Sequence, residues 1–145
     1  VYKGYGSDIT RTWVVGKPTQ LQTRIADDMI RIREKVLNLI KPGVTPRQVH
    51  ELGNGEMESA GYLVSKTVLP HDGLGIGGVT VHGIGLGPMH DPPHVDDLDI
   101  KLESGMTIAI TCCARYAKFT IRFEDNMVII PGGIELISKL IPWRL

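Results

Sequence analysis

Val81-His82-Gly83-Ile84-Gly85-Leu86-Gly87-Pro88-Met89-His90-Asp91-Pro92-Pro93 sets two histidines and an acid in a frame of glycine and proline. Glycine lets the backbone approach a ligand closely and adopt dihedrals that a β-carbon forbids. Proline holds the exit of the stretch rigid. Such a stretch is a poor helix or central strand and a good wall for a small site. Val79-Thr80-Val81 leads into it as a short strand. Two further acids, Asp8 and Glu124, each sit at the edge of an apolar strand. The expectation is that Asp8, His82 and Glu124 face one another around this wall.

Working outward, residues 10–15 (Thr-Arg-Thr-Trp-Val-Val) are β-branched and aromatic and read as a strand. A helix follows from about residue 20 to 40, because Leu21, Ile25, Met29, Ile32, Val36 and Leu39 recur at steps of three and four. Thr19 is its N-cap and Lys41-Pro42-Gly43 its stop. The charges on this helix, from Arg24 to Lys35, read as a solvated face. A second helix starts at Thr45-Pro46-Arg47-Gln48, with Thr45 and Gln48 as a capping box and Pro46 at the first helical position. Gly53 and Gly55 each weaken it by about 1 kcal/mol relative to alanine.

Residues 62–69 read as a strand and 70–78 as a glycine- and proline-rich loop holding His71. Residues 106–111, 119–123 and 127–130 read as three short strands, the last two as a hairpin, before the turn Pro131-Gly132-Gly133. One strand, two helices and then mostly antiparallel strands make an α+β arrangement, a curved sheet with helices over one face.

At 145 residues the chain is the length of one domain. Sixteen basic and sixteen acidic residues cancel, which gives no electrostatic reason to expect nucleic acid. No apolar run approaches the ~20 residues of a membrane span. Val1-Tyr2-Lys3-Gly4 does not open a signal peptide. The two cysteines are adjacent, Cys112-Cys113, which points to a reduced, cytoplasmic setting rather than a disulfide framework.

Carboxylates and an imidazole together suit manganese, cobalt, zinc or iron. Two such ions about 3.5–4 Å apart activate a shared water and polarise a carbonyl. His90 is placed to orient a substrate or donate a proton. No HExxH, CxxC or phosphate-loop motif is present.

Taken in order, several pieces resemble one family. They are Gly4-Tyr5-Gly6-Ser7-Asp8-Ile9-Thr10-Arg11-Thr12, Lys41-Pro42-Gly43-Val44-Thr45, His82-Gly83-Ile84-Gly85-Leu86, His90-Asp91-Pro92-Pro93, Gly105-Met106 and Ile121-Arg122-Phe123-Glu124-Asp125. Together they look like the creatinase, prolidase and Xaa-Pro aminopeptidase family, peptidase family M24, with its pita-bread fold. The resemblance implies a dinuclear manganese or cobalt centre that cleaves the bond before a proline in a peptide. It matches Asp8 and Glu124 to bridging metal ligands, His82 to the histidine ligand and His90 to the histidine that contacts substrate. Arg122 matches a basic residue that orients the final glutamate.

The departures are equally specific. The family has a further aspartate ligand upstream of the position of Asp8, and counting back passes residue 1. That ligand and most of the domain's first half lie outside residues 1–145. A glutamate ligand is expected soon after the Gly-Met strand, but the run here is Ile110-Thr111-Cys112-Cys113. A second histidine shortly before the ligand histidine is missing at that spacing; His71 lies eleven residues back, across a glycine-rich insertion. Cys112 or Cys113 offers a thiolate for zinc, against the simpler reading of two small buried strand residues.

Two readings follow. One is an Xaa-Pro dipeptidase- or aminopeptidase-like metallohydrolase. The alternative is a metal-deficient module that binds peptide or protein without catalysis. A strand edge without its hairpin partner around Ile9, Trp13 and Val15 leads to an expectation of a dimer or larger homo-oligomer.

Overall fold

The structure is a computed structural model and describes residues 3–64, 77–86, 92–116 and 118–139. Two helices are followed by four strands. Helix α1 spans Gln20–Leu39 and α2 spans Pro46–Ser59. The strands are β1 (Gly78–Gly83), β2 (Thr107–Tyr116), β3 (Phe119–Ile130) and β4 (Gly133–Leu136). They form one sheet in the order β1-β2-β3-β4, every neighbouring pair antiparallel.

Both helices begin with the same local device. The Thr19 hydroxyl accepts from the Gln22 N–H, and the Gln22 amide oxygen accepts from the Thr19 N–H at 2.8 Å. Thr45 and Gln48 repeat the exchange ahead of α2. Each box satisfies amide donors that a helix start otherwise leaves open. The apolar stripe of α1 buries Ile25, Met29, Ile32 and Val36 completely, each contributing about 1.5–3 kcal/mol. Gly43, at φ +91°, turns the chain between the helices and donates its N–H to the Leu102 carbonyl.

The sheet sorts its side chains by alternation. Val79 and Val81, Ile108, Ile110 and Cys112, and Ile121, Phe123, Met127 and Ile129 point to the helices and build the core with the α1 stripe. The opposite face carries Thr80 and His82 of β1, Thr111 and Cys113 of β2, and Arg122, Glu124 and Asn126 of β3.

Three sequence expectations change. Residues 119–130 are one continuous strand of 12 residues, not two strands in a hairpin. The hairpin that residue 118 turns joins β2 to β3 instead, starting at the pair Tyr116–Phe119. The polar run Glu124-Asp125-Asn126 looked like a break, yet all three are buried because each finds partners. Residues 10–15 are not a regular strand. They run antiparallel along β3 with a single backbone bridge, Thr10 to Glu124. Finally, the charges of α1 are not all solvated. Arg31 and Lys35 are half-exposed and pair with Glu56, whereas Arg33 is buried and its Nε donates to Asp125 at 2.7 Å. The expected strand over residues 62–69 is seen only as a bridge from Val64 to Gly77, and residues 65–76 lie outside the described residues. Trp13 and Val15 are exposed.

The glycines of α2 give opposite predictions. A β-carbon on Gly55 would meet nothing within 4 Å, so Gly55→Ala is expected to stabilise by about 0.5–1 kcal/mol. A β-carbon on Gly53 would lie 2.5 Å from Val79 Cγ2 and 2.7 Å from its Cβ. Overpacking of that kind costs about 1–3 kcal/mol, more than the gain in helix propensity. Urea midpoints of the two variants should move in opposite directions from wild type.

Candidate metal centre

β3 is the spine of the site. Arg122, Glu124 and Asn126 alternate onto the face away from the helices, and the segment before α1 is laid against them in register. Asp8 pairs with Asn126 through the asparagine amide, which accepts from the Asp8 N–H at 3.0 Å and donates to its carbonyl at 2.6 Å. Thr10 pairs with Glu124 backbone to backbone. The Thr12 hydroxyl accepts from the Arg122 N–H at 2.9 Å and donates to the Arg122 carbonyl at 3.1 Å. Side-chain amide and hydroxyl groups thus complete a ladder whose middle rung alone is backbone. This ladder delivers Asp8 to the site.

His82 arrives from β1, opposite Ala109, and Thr111 from β2, directly opposite Glu124. The His82 Nε2 lies 3.4 Å from Glu124 Oε1 and 3.7 Å from Asp8 Oδ2. One ligand atom from each of Asp8, His82 and Glu124 falls within 4.8 Å of the others. Glu124 is fully buried and His82 nearly so, while the Asp8 side chain is one-third exposed and opens the cluster to solvent.

This donor set fits a divalent cation. With metal–ligand bonds of about 2.1 Å, neighbouring tetrahedral ligands stand about 3.4 Å apart. The His82 Nδ1 lies 3.2 Å from the Gly83 carbonyl. An Nδ1–H donated there leaves the Nε2 lone pair directed at the carboxylates. The Glu124 carboxylate accepts from three side chains. Its Oε1 accepts from the Thr111 hydroxyl at 2.6 Å. Its Oε2 accepts from the Thr10 hydroxyl at 2.8 Å and from Arg122 Nη2 at 2.9 Å.

A model of metallopeptidase family M24 matches residues 1–131. The chain belongs to that family. It is 31% identical over 141 residues to an Xaa-Pro dipeptidase of Pyrococcus horikoshii, an alignment that takes in 96% of this chain and 37% of the relative. Among solved structures it superposes on an Xaa-Pro dipeptidase from Bacillus anthracis with a TM-score of 0.82 at 30% identity, over 99% of this chain and 38% of that one. A prolidase from Pyrococcus furiosus gives 0.81 at 27% identity, over 98% of this chain and 40% of that one. The chain therefore spans a little over a third of the length of these relatives, and its α+β sheet and helices are part of the pita-bread fold.

In this M24 chain the two carboxylates are driven apart electrostatically. Burial raises the Asp8 pKa, the charge of Glu124 adds to it, and His82 and Arg122 only partly oppose them. Burial also works against an ionised Glu124, but contacts from His82, Thr111, Arg122 and Thr10 outweigh it and hold that carboxyl below its ordinary value. For His82, burial disfavours the imidazolium, but Glu124, the Gly83 carbonyl and Asp8 together raise its pKa above the usual 6.5.

The cysteines take no part in the cluster. Cys112 faces the helices, and burial pushes its thiol up to about 12. Cys113 is on the site face but buried, and burial raises its pKa too. His71 and His90 lie outside the described residues. The sequence reading missed Thr10, Asn126, Arg11 and Asp125. Thr10 and Asn126 fall on the same alternation as Asp8 and Glu124, whereas Arg11 and Asp125 fall in the opposite phase, toward the helices.

A cation bound at Nε2 competes with a proton there. Because the pKa of His82 is raised, affinity for Mn2+ is expected to fall as pH drops through a value above 6.5, by ~tenfold per pH unit for one displaced proton. Glu124, held low, stays ionised across that range. Calorimetric titration between pH 5.5 and 8.5 measures this; a pH-independent affinity would contradict it.

Proposed function

We propose that this chain carries the metal-binding part of an Xaa-Pro dipeptidase- or aminopeptidase-like hydrolase, which cleaves the peptide bond before a proline. The observation that supports the reading is the convergence of Asp8, His82 and Glu124 within 4.8 Å on an M24 scaffold. Relatives named Xaa-Pro dipeptidase support the substrate class. A divalent cation held there, manganese or cobalt, would acidify a water and polarise the scissile carbonyl. Asp8 and Glu124 neutralise the charge of that ion. Arg122 and the hydroxyls of Thr10 and Thr111 fix the orientation of Glu124. In this reading His90 contacts the substrate and donates a proton toward developing charge, and His71 is a second candidate on the substrate side. A cytoplasmic setting and self-association through the exposed Trp13 and Val15 belong to the same proposal. No helix among the described residues is long and apolar enough to cross a membrane.

One observation favours the second reading. Thr111, a neutral side chain, occupies the position opposite Glu124. A module that binds proline-containing peptides without cleaving them has no need of a further carboxylate there.

The test is hydrolysis of Xaa-Pro dipeptides by the full chain in Mn2+ or Co2+. Turnover that is lost in Glu124→Gln, and that Arg122→Ala lowers about 10–100-fold, is the expected result. Peptide binding that survives chelation, without turnover at any metal concentration, would replace the hydrolase reading with the binding module.

A further inference from the structure

We infer that Thr111 and the hydrogen bonds around Glu124 restrict this centre to one tightly held divalent cation. The inference rests on the metal-dependent reading above and adds the stoichiometry of the site.

The lone pairs of Glu124 decide it. A carboxylate oxygen offers two acceptor positions. On Oε2 both are taken, one by the Thr10 hydroxyl at 2.8 Å and one by Arg122 at 2.9 Å. On Oε1 one is taken by Thr111 at 2.6 Å. The remaining one faces His82 Nε2 across 3.4 Å, on the side where Asp8 Oδ2 also points. Glu124 therefore has one position left for a cation. Bridging two ions would require the loss of Arg122 or Thr10 from Oε2.

Charge points the same way. Among the described residues the site holds two carboxylates, one of them paired with Arg122. The hydroxyl of Thr111 sits midway between Thr80 on β1 and Glu124 on β3 and adds no charge. Two divalent ions side by side need anionic ligands between them to offset their repulsion. Here the central strand supplies a neutral donor whose proton is committed to Glu124. Hydroxyl oxygen is a poor substitute for carboxylate toward a divalent ion. One ion on Asp8, His82 and Glu124 uses the one position left on Glu124.

The experiment is a titration of the full chain with Mn2+, followed by calorimetry and by electron paramagnetic resonance. Wild type is expected to take up one ion tightly, any second at least about tenfold more weakly, with the hyperfine-split signal of an isolated Mn2+. Thr111→Glu combined with Arg122→Ala, which adds a carboxylate and frees a position on Oε2, is expected to add a second ion and an exchange-coupled signal. Thr111→Val, close in shape, is expected to keep the single ion, since the hydroxyl is not its ligand. If the glutamate variant does not fold, wild type and Thr111→Val decide the matter. Two ions of comparable affinity in wild type, or loss of the single ion in Thr111→Val, would overturn the inference and leave the metal-dependent reading standing. Absence of any bound Mn2+ in wild type would overturn that reading itself.

Discussion

Asp125 is a carboxylate at 1% exposure, and the structure around it is arranged to answer its charge. Arg11 Nη2 donates to one oxygen at 2.6 Å and Arg33 Nε to the other at 2.7 Å, and the Ser138 hydroxyl adds a third bond. These partners come from the segment before α1, from α1 itself and from the stretch after β4. A buried charge whose partner is removed costs about 3–5 kcal/mol, so this one carboxylate ties three distant pieces of chain to the middle of β3. Arg11 also donates to the carbonyl of Glu124 at 2.6 Å. Because neighbours on a strand point to opposite faces, fixing Asp125 against α1 fixes Glu124 toward the site.

That coupling positions the site without depending on its own repulsive charges. Asp8 and Glu124 would separate if free. They are held by a ladder of pairs, Asp8 with Asn126, Thr10 with Glu124 and Thr12 with Arg122, made largely by side chains. His82 is set independently by its register on β2. Of the three ligand residues Asp8 is the one open to solvent, with its side chain one-third exposed.

What the sequence disclosed follows the range of the forces involved. The helices were legible to within a residue or so because capping boxes and apolar stripes are local, as Thr19, Thr45 and Pro46 illustrate. β3 was not, because Glu124, Asp125 and Asn126 are polar and their partners lie about a hundred residues away. Its apolar alternation, Ile121, Phe123, then Met127, Ile129, runs through Asp125 without losing phase and was the available sign. Arg33 is a parallel case. It falls between Ile32 and Val36 on the buried stripe of α1, and that position, rather than its charge, told where it points. Asp8, His82 and Glu124 were singled out because a glycine-rich wall and strand-edge acids are suited to a small site. The hydroxyls and the amide that hold them are ordinary residue types and carry no comparable mark.

The central claim is that Asp8, His82 and Glu124 form one ligand set on this sheet. Its most direct measurement is the anomalous scattering of manganese in crystals of the full chain soaked in Mn2+. The account predicts a peak within bonding distance of His82 Nε2, Glu124 Oε1 and Asp8 Oδ2, with Arg122 and Thr111 still on Glu124. A manganese peak away from these three atoms, or none at saturating metal, would contradict it.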